Sequence, residues 1–263
     1  MTKVLVTGGG GFLGSHVVER LEQGGHDVVV ARSSDYDLTR LEDTERMFGA
    51  AEADWVLHLA AEVGGIGANR ANPGRFWYAN LQMGLNVLEL ARLNETPKVV
   101  LLGTVCAYPK FTPVPFHEEE LWNGYPEETN AHVIADLIRK MLESPEEVVL
   151  WGDGSPTREY LYVEDCAEGL VLAAERYDGP EPVNLGTGIE TSIRETAELV
   201  AEAVGFDGRI TWDTSMPNGQ PRRSLDASRA EQLFGFRART PLREGIARTV
   251  AWYRASASTY AAR

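Results

Sequence analysis

Four consecutive glycines, Gly8 to Gly11, closed by Phe12-Leu13-Gly14, follow the short apolar stretch Val4-Leu5-Val6. This run constrains the fold more than any other segment, because each key glycine answers a backbone demand that a side chain would block. Gly8 permits a tight turn out of a strand, Gly11 lets the backbone approach a pyrophosphate, and Gly14 lets a helix pack closely on that strand. Phosphates then sit at the helix N-terminus, where backbone N–H groups and the macrodipole favour negative charge. Gly8, Gly11, Phe12, Leu13 and Gly14 are therefore expected to hold a dinucleotide.

Apolar runs alternate with helical segments along the first third. Val4–Val6, Asp27–Val30, Trp55–Leu59 and Val99–Leu102 read as strands, and residues 16–22 and 80–94 as helices. That alternation implies right-handed βαβ units and a parallel sheet. The expected fold class is α/β: a Rossmann-type doubly wound parallel sheet with a smaller C-terminal α/β domain. Residues 1–130 are expected to form the dinucleotide-binding domain, with 159–185 returning to it, and 131–263 mainly the second domain. Pro109, Pro113, Pro115 and Pro126 exclude regular structure between Tyr108 and Asn130. Beyond lie a predicted helix over 132–143, strands near 147–151 and 159–163, and a helix over 165–176. A strand over 182–185, a helix over 192–204, a strand over 209–212 and a helix over 242–254 complete the pattern. One strand-helix unit is missing. After the fourth strand such a sheet needs a crossover helix and a fifth strand, and a βαβ unit takes about 30 residues or more. Asn130 and Ala131 are consecutive, leaving no room for it.

Charge narrows the partners. With 25 Lys+Arg against 39 Asp+Glu, the net charge of −14 excludes a nucleic-acid or anionic-membrane surface, since phosphate backbones need a basic face. A few arginines can still serve a local site for a small anion. Cys106 and Cys166 make no disulfide framework and lack metal-ligand spacing, so no metal and a reducing cytoplasm are expected. No apolar stretch approaches the ~18 residues of a membrane span, and no secretory leader is read at Met1.

The second strand ends Arg32-Ser33-Ser34-Asp35. An acidic residue there would accept the ribose 2′-hydroxyl of NAD, whereas Arg32 and two serines suit the 2′-phosphate of NADP. Asp35 and Asp37 pull the other way. NADP(H) is the expected cofactor, with Arg32, Asp37 and Leu38 at its ribose end. Leu59, Ala60 and Ala61 after the third strand, and Leu102 and Gly103 after the fourth, allow its close approach.

Residues 59–69, 101–110 and 117–130 together resemble the GDP-L-fucose synthase family of extended short-chain dehydrogenase/reductases. So do His132-Val133-Ile134, Trp151-Gly152-Asp153-Gly154 through Tyr160, Asn184–Gly188 and Gly205–Ile210. The resemblance implies a homodimer that takes a GDP-sugar, epimerises GDP-4-keto-6-deoxy-D-mannose at C3 and C5, and reduces C4 with NADPH. Inverting each centre needs a base on one face and an acid on the other, both with pKa near neutrality. Thiol and imidazole, at ~8.5 and ~6.5, suit those exchanging roles. By resemblance Cys106 and His132 are this pair, and Thr104 stands where the family has a serine that hydrogen-bonds the C4 oxygen. Lys140, Trp151, Arg158 and Arg209 map to the family's substrate contacts.

One departure is chemical. The superfamily's Tyr-x-x-x-Lys, which protonates the carbonyl oxygen and holds the nicotinamide ribose, is absent: no tyrosine here has lysine four residues on. Its expected place follows Asn130, where the fifth strand is also wanting. Two rival readings follow: another NAD(P)-dependent sugar-nucleotide epimerase/reductase, or a catalytically inactive NADP- or sugar-nucleotide-binding protein.

Overall fold

The computed structural model describes residues 1–64, 71–124 and 133–260, with side chains to residue 255. The Asn130–Ala131 junction lies outside them. The chain forms two compact units. The first comprises Met1–Ala107, Val163–Val183 and Ser228–Arg237; the second comprises Tyr108–Tyr162, Asn184–Ala227 and Ala238–Arg263.

In the first unit, β1 (Lys3–Thr7), β2 (Asp27–Ala31), β3 (Trp55–His58) and β4 (Lys98–Leu101) form an all-parallel sheet in the order β2-β1-β3-β4. Val4, Leu5 and Val6 are fully buried, as expected for a parallel strand covered on both faces. The helices are α1 (Phe12–Gln23), α2 (Leu41–Ala51), α3 (Pro73–Leu93), α5 (Val163–Arg176) and α7 (Ser228–Phe234). Met47 and Phe48 of α2 and Val87, Leu90 and Ala91 of α3 share one apolar core with Leu5 and Val56. On the α1 side, α1 packs on α5. Helix α2 was not read from the sequence: its buried Thr44, Met47, Phe48 and Ala51 have helical spacing but include a hydroxyl, which blurs the apolar stripe.

The order β2-β1-β3 decides where a ligand goes. The chain leaves β1 for one neighbour and later adds the other, so the connections after β1 and β3 diverge and leave a crevice at the strands' C-terminal ends.

Among the described residues the sheet ends at β4. Its strand is only half-buried or exposed, and Lys98 reaches back to cap α5, donating to Ala174 O at 2.7 Å and pairing with Asp178 at 2.6 Å. Helix α3 is apolar on two faces. Opposite Val87 and Leu90 it presents Trp77 (71% exposed), Tyr78, Leu81, Leu85 and Leu88 to the outside.

The second unit holds α4 (Val133–Glu143), α6 (Ile193–Val204) and α8 (Leu242–Tyr260), with β5 (Glu147–Trp151) paired in parallel with β8 (Arg209–Asp213). Leu137, Ile138, Met141, Val148, Val200 and Ile246 lie in its core. Ser192 caps α6 by accepting the Glu195 N–H, and Gly205 closes the helix in the left-handed region. A three-stranded sheet has the order β7-β6-β9: β7 is Glu190–Ser192, β6 Thr157–Glu159 and β9 Arg222–Arg223.

Two strand expectations are corrected here. The strand near 159–163 is Thr157–Glu159, because Val163 already starts α5. Residues 182–185 form no strand. Asn184 instead spends its groups on loop anchoring: its amide donates to Phe116 O and Asp226 O, its Oδ1 accepts the Tyr108 hydroxyl, and its N–H donates to Glu118. In the proline-rich segment after Tyr108, residues Glu118–Trp122 form a 3-10 turn.

Candidate active site

The glycine turn meets its geometric demands. Gly8 has φ +73°, and a Cβ there would fall 2.7 Å from the Ala60 nitrogen. A Cβ on Gly14 would collide with the carbonyl oxygen of Gly8. Those contacts draw the β1 turn, the start of α1 and the end of β3 into one place. Gly11 is the N-cap of α1 with no side chain on the helix end, so the positive pole of the helix faces the turn. Phe12 and Leu13 open the helix.

Beneath the turn lies a pair the sequence reading missed. Thr7 Oγ1 and His58 Nδ1, ending β1 and β3, are hydrogen-bonded at 2.7 Å and buried. Burial holds the His58 imidazole below its ordinary pKa, so the neutral ring can accept the Thr7 hydroxyl. The Thr7–His58 register across β1 and β3 brings the pair together, 51 residues apart in sequence. Only strand pairing could have revealed it.

Leu59, Ala60 and Ala61 run out of β3 directly over this pair, with the Ala60 N–H 3.4 Å from Thr7 Oγ1. The stretch is then clasped by α3: Asn80 exchanges two hydrogen bonds of 2.8 Å with the Glu62 backbone, and Arg75 forks onto the Glu62 carboxylate at 2.7 and 3.2 Å. Arg32, just past β2, brings its guanidinium to 3.7 Å from where a Gly10 Cβ would stand. A cation therefore borders the glycine turn. Asp37 is occupied locally, its carboxylate accepting the Thr39 N–H and hydroxyl, while Leu38 is buried and its carbonyl accepts from Asn86.

After β4, Leu102 and Gly103 are exposed at the same end of the sheet, with the Leu102 N–H donating to His58 O at 3.3 Å. Thr104 follows, exposed, and its Oγ1 accepts the Cys106 N–H at 3.3 Å. A hydroxyl used this way keeps its O–H for a further acceptor such as a substrate oxygen. Cys106 is half-buried in the turn Val105–Ala107. Cys166 differs: burial and the nearby Asp165 carboxylate push its thiol up to about 11, which makes it inert at neutral pH. His132 lies outside the described residues. The structure thus brings the glycine turn, Arg32, residues 59–61 and residues 102–104 to the carboxyl ends of one sheet.

The four expected substrate residues lie in the second unit. Trp151 is exposed at the end of β5, and Arg158 on β6 donates from Nη1 to Thr157 O and Gln220 O at 2.7 and 2.8 Å. One segment links them: Asn218 lies against Gly152 and Asp153, and Gly219 and Gln220 against Arg158. Arg209 stands at the other end of the β5–β8 ladder from Trp151, four residues or ~13 Å along the strand. Its Nε is 3.6 Å from Glu147. Lys140 on α4 pairs with Asp136 at 3.0 Å. Trp151 and Arg158 therefore share a neighbourhood that Arg209 does not.

Comparison with known proteins supplies the context. The sequence profile of the NAD dependent epimerase/dehydratase family matches residues 4–125 and 122–186. GDP-L-fucose synthase 1 of Arabidopsis thaliana is 37% identical, covering 95% of this chain and 93% of its own. The chain belongs to the GDP-L-fucose synthase family. Probable GDP-L-fucose synthase 1 of Oryza sativa subsp. japonica is 36% identical, covering 95% of this chain and 92% of its own. A crystal structure of a GDP-L-fucose synthetase from Naegleria fowleri bound to NADP shares the fold, with a TM-score of 0.88, 24% identity and coverage of 97% and 95%. The rice alignment runs over 301 residues against 263 in this chain, so at least 38 positions (301 less 263) of that GDP-L-fucose synthase relative have no counterpart here. The family profile breaks into its two matches at 122–125, a few residues before Asn130. The break in the profile lies close to the place, after Asn130, where Tyr-x-x-x-Lys is expected. Among the described residues no helix is long and apolar enough to cross a membrane.

Proposed function

We propose that the chain is an NADPH-dependent enzyme of the GDP-L-fucose synthase type, epimerising GDP-4-keto-6-deoxy-D-mannose at C3 and C5 and reducing its C4 ketone. The glycine turn with Arg32 at its edge carries this reading, together with the curated relatives of that name. The residues fit the cofactor. Gly8, Gly11, Phe12, Leu13 and Gly14 would take the pyrophosphate on the α1 N-terminus, and Arg32 the 2′-phosphate. Asp37 and Leu38 would border the adenosine ribose, and Leu59–Ala61 with Leu102 and Gly103 would leave room for the remainder. When bound, NADPH supplies a hydride for the ketone.

The chain's own groups would handle the protons on C3 and C5, and water would supply the proton that the C4 oxygen takes up on reduction. The C4 carbonyl acidifies the hydrogens on C3 and C5 by accepting charge as an enolate. Cys106 and His132 would remove and return those protons on opposite faces. Thr104 would donate its O–H to the C4 oxygen, where the charge develops. Arg158 would grip the GDP diphosphate beside Trp151, with Lys140 and Arg209 as outer cations.

A specific observation favours a second reading. The chain lacks both Tyr-x-x-x-Lys and at least 38 relative positions, so binding of NADP and a GDP-sugar without turnover is its direct rival. Cofactor choice tests the shared part of both. Arg32→Ala should weaken NADPH binding about 10- to 100-fold, the worth of one charge-assisted hydrogen bond, and leave NADH nearly unchanged. Equal NADPH affinity in titration calorimetry would remove Arg32 from the site.

The same reading makes the protein a cytoplasmic homodimer. Cysteine usage that builds no disulfide framework suits the cytoplasm. Trp77, Leu81, Leu85 and Leu88, a stripe without charge on α3, support self-association, because a helix apolar on both faces is normally covered. Light scattering should give a dimer for the parent and a monomer for Leu81→Glu/Leu85→Glu; a parental monomer would contradict it.

A further inference from the structure

We infer that Glu159 is a positioning residue for GDP-sugar binding: its carboxylate fixes, from the back of the β7-β6-β9 sheet, the two loops that flank Arg158. The inference rests on the proposed role of Arg158 as the diphosphate ligand.

Glu159 ends β6, the central strand, next to Arg158. Successive strand side chains point to opposite faces, so the two residues act on opposite sides of the same sheet. One carboxylate oxygen of Glu159 accepts the N–H groups of Thr187 and Gly188, the latter at 3.1 Å. The other accepts the Leu225 N–H at 2.7 Å and the Ser224 hydroxyl at 2.9 Å. Four donors converge on one side chain. They come from the loop that precedes β7 and from the segment that follows β9, the strands on either side of β6. Gly186 packs so closely that a Cβ there would strike the same carboxylate.

The segment after Gly219 is held along its length: Pro221 O accepts the Thr157 N–H at 2.9 Å, Ser224 O accepts the Phe116 N–H at 2.8 Å, and β6 side chains hold its two ends. Arg158 binds its start at Gln220 O, and Glu159 binds its end at Ser224 and Leu225. Arg222 and Arg223 lie between, in register with Thr157 and Arg158. If the Glu159 end is released, the strand whose Gln220 carbonyl orients the Arg158 guanidinium keeps its ladder bonds but loses the side-chain anchors at Ser224 and Leu225. A glutamine cannot substitute, since its NH2 would face two donors and leave them unpaired.

GDP, GMP and NADPH titrations on four folded proteins test this. Glu159→Gln should weaken GDP binding about tenfold, reduce the preference for GDP over GMP, and leave NADPH affinity unchanged. Ser224→Ala, which removes a single donor, should weaken GDP binding about two- to threefold and serves if Glu159→Gln does not fold. Arg158→Ala should abolish the preference for GDP over GMP. If Arg158→Ala loses GDP but Glu159→Gln and Ser224→Ala bind it like the parent, the positioning role is overturned and the site reading stands. If Arg158→Ala binds GDP like the parent, or the parent binds no GDP, both are overturned.

Discussion

Gly14→Ala should abolish measurable NADPH binding and lower the melting temperature, although it adds only one methyl group. The new Cβ would meet the Gly8 carbonyl oxygen and carbon, which are backbone atoms with no rotamer to yield. Either α1 moves away from β1 or the turn opens, and both displace the N–H groups that would hold a pyrophosphate. Losing two charge-assisted hydrogen bonds corresponds to a factor of 100 or more, about 3 kcal/mol. Overpacking costs a further ~1–3 kcal/mol of stability, or roughly 2–4 °C in Tm for each kcal/mol. Gly49→Ala is the control. Nothing lies within 4 Å of a Cβ built at that position on α2, so alanine there should stabilise by about 0.5–1 kcal/mol and leave NADPH binding untouched. Equal NADPH affinity of Gly14→Ala and the parent in fluorescence titration would show that the glycine turn does not hold the cofactor.

Cys106→Ser should be the second large effect, confined to the chemistry. General acid–base catalysis contributes about 10²–10⁴-fold, and a serine hydroxyl is a much weaker acid than a thiol. Exchange of solvent deuterium into the substrate at C3 or C5 should fall by about that factor, while GDP and NADPH affinities stay within about twofold. Parental exchange in Cys106→Ser would take Cys106 out of the acid/base pair.

What the sequence made legible follows from where each feature's cause lies. The glycine turn was readable because its requirement is local: Gly8 and Gly14 collide with neighbours a few residues off or at a strand end that the βαβ pattern already placed. The parallel sheet was readable from runs such as Val4-Leu5-Val6, buried on both faces. The Thr7–His58 pair, the Asn184 anchor and the Glu159 carboxylate were not. Their partners lie 28 to 76 residues away and are mostly backbone N–H and C=O groups, which every residue carries and no sequence pattern marks. Asn184 also explains the strand wrongly expected at 182–185, since its backbone N–H donates to the Glu118 carboxylate and is not available to a neighbouring strand. Conversely, the shortfall before Ala131 was visible only as a mismatch, between a topology wanting a fifth strand and a chain with no residues for it.

The central claim, that this chain turns over a 4-keto GDP-sugar with NADPH, meets its most direct test in deuterated water. Parent protein, GDP-4-keto-6-deoxy-D-mannose and NADPH are combined, the loss of NADPH absorbance is followed, and the product is read by NMR. The account predicts stoichiometric NADPH oxidation with deuterium at C3 and C5 and hydride-derived hydrogen at C4. Tight binding of NADPH and GDP with neither oxidation nor deuterium incorporation would contradict it, and would leave the reading of a protein that binds both without turnover.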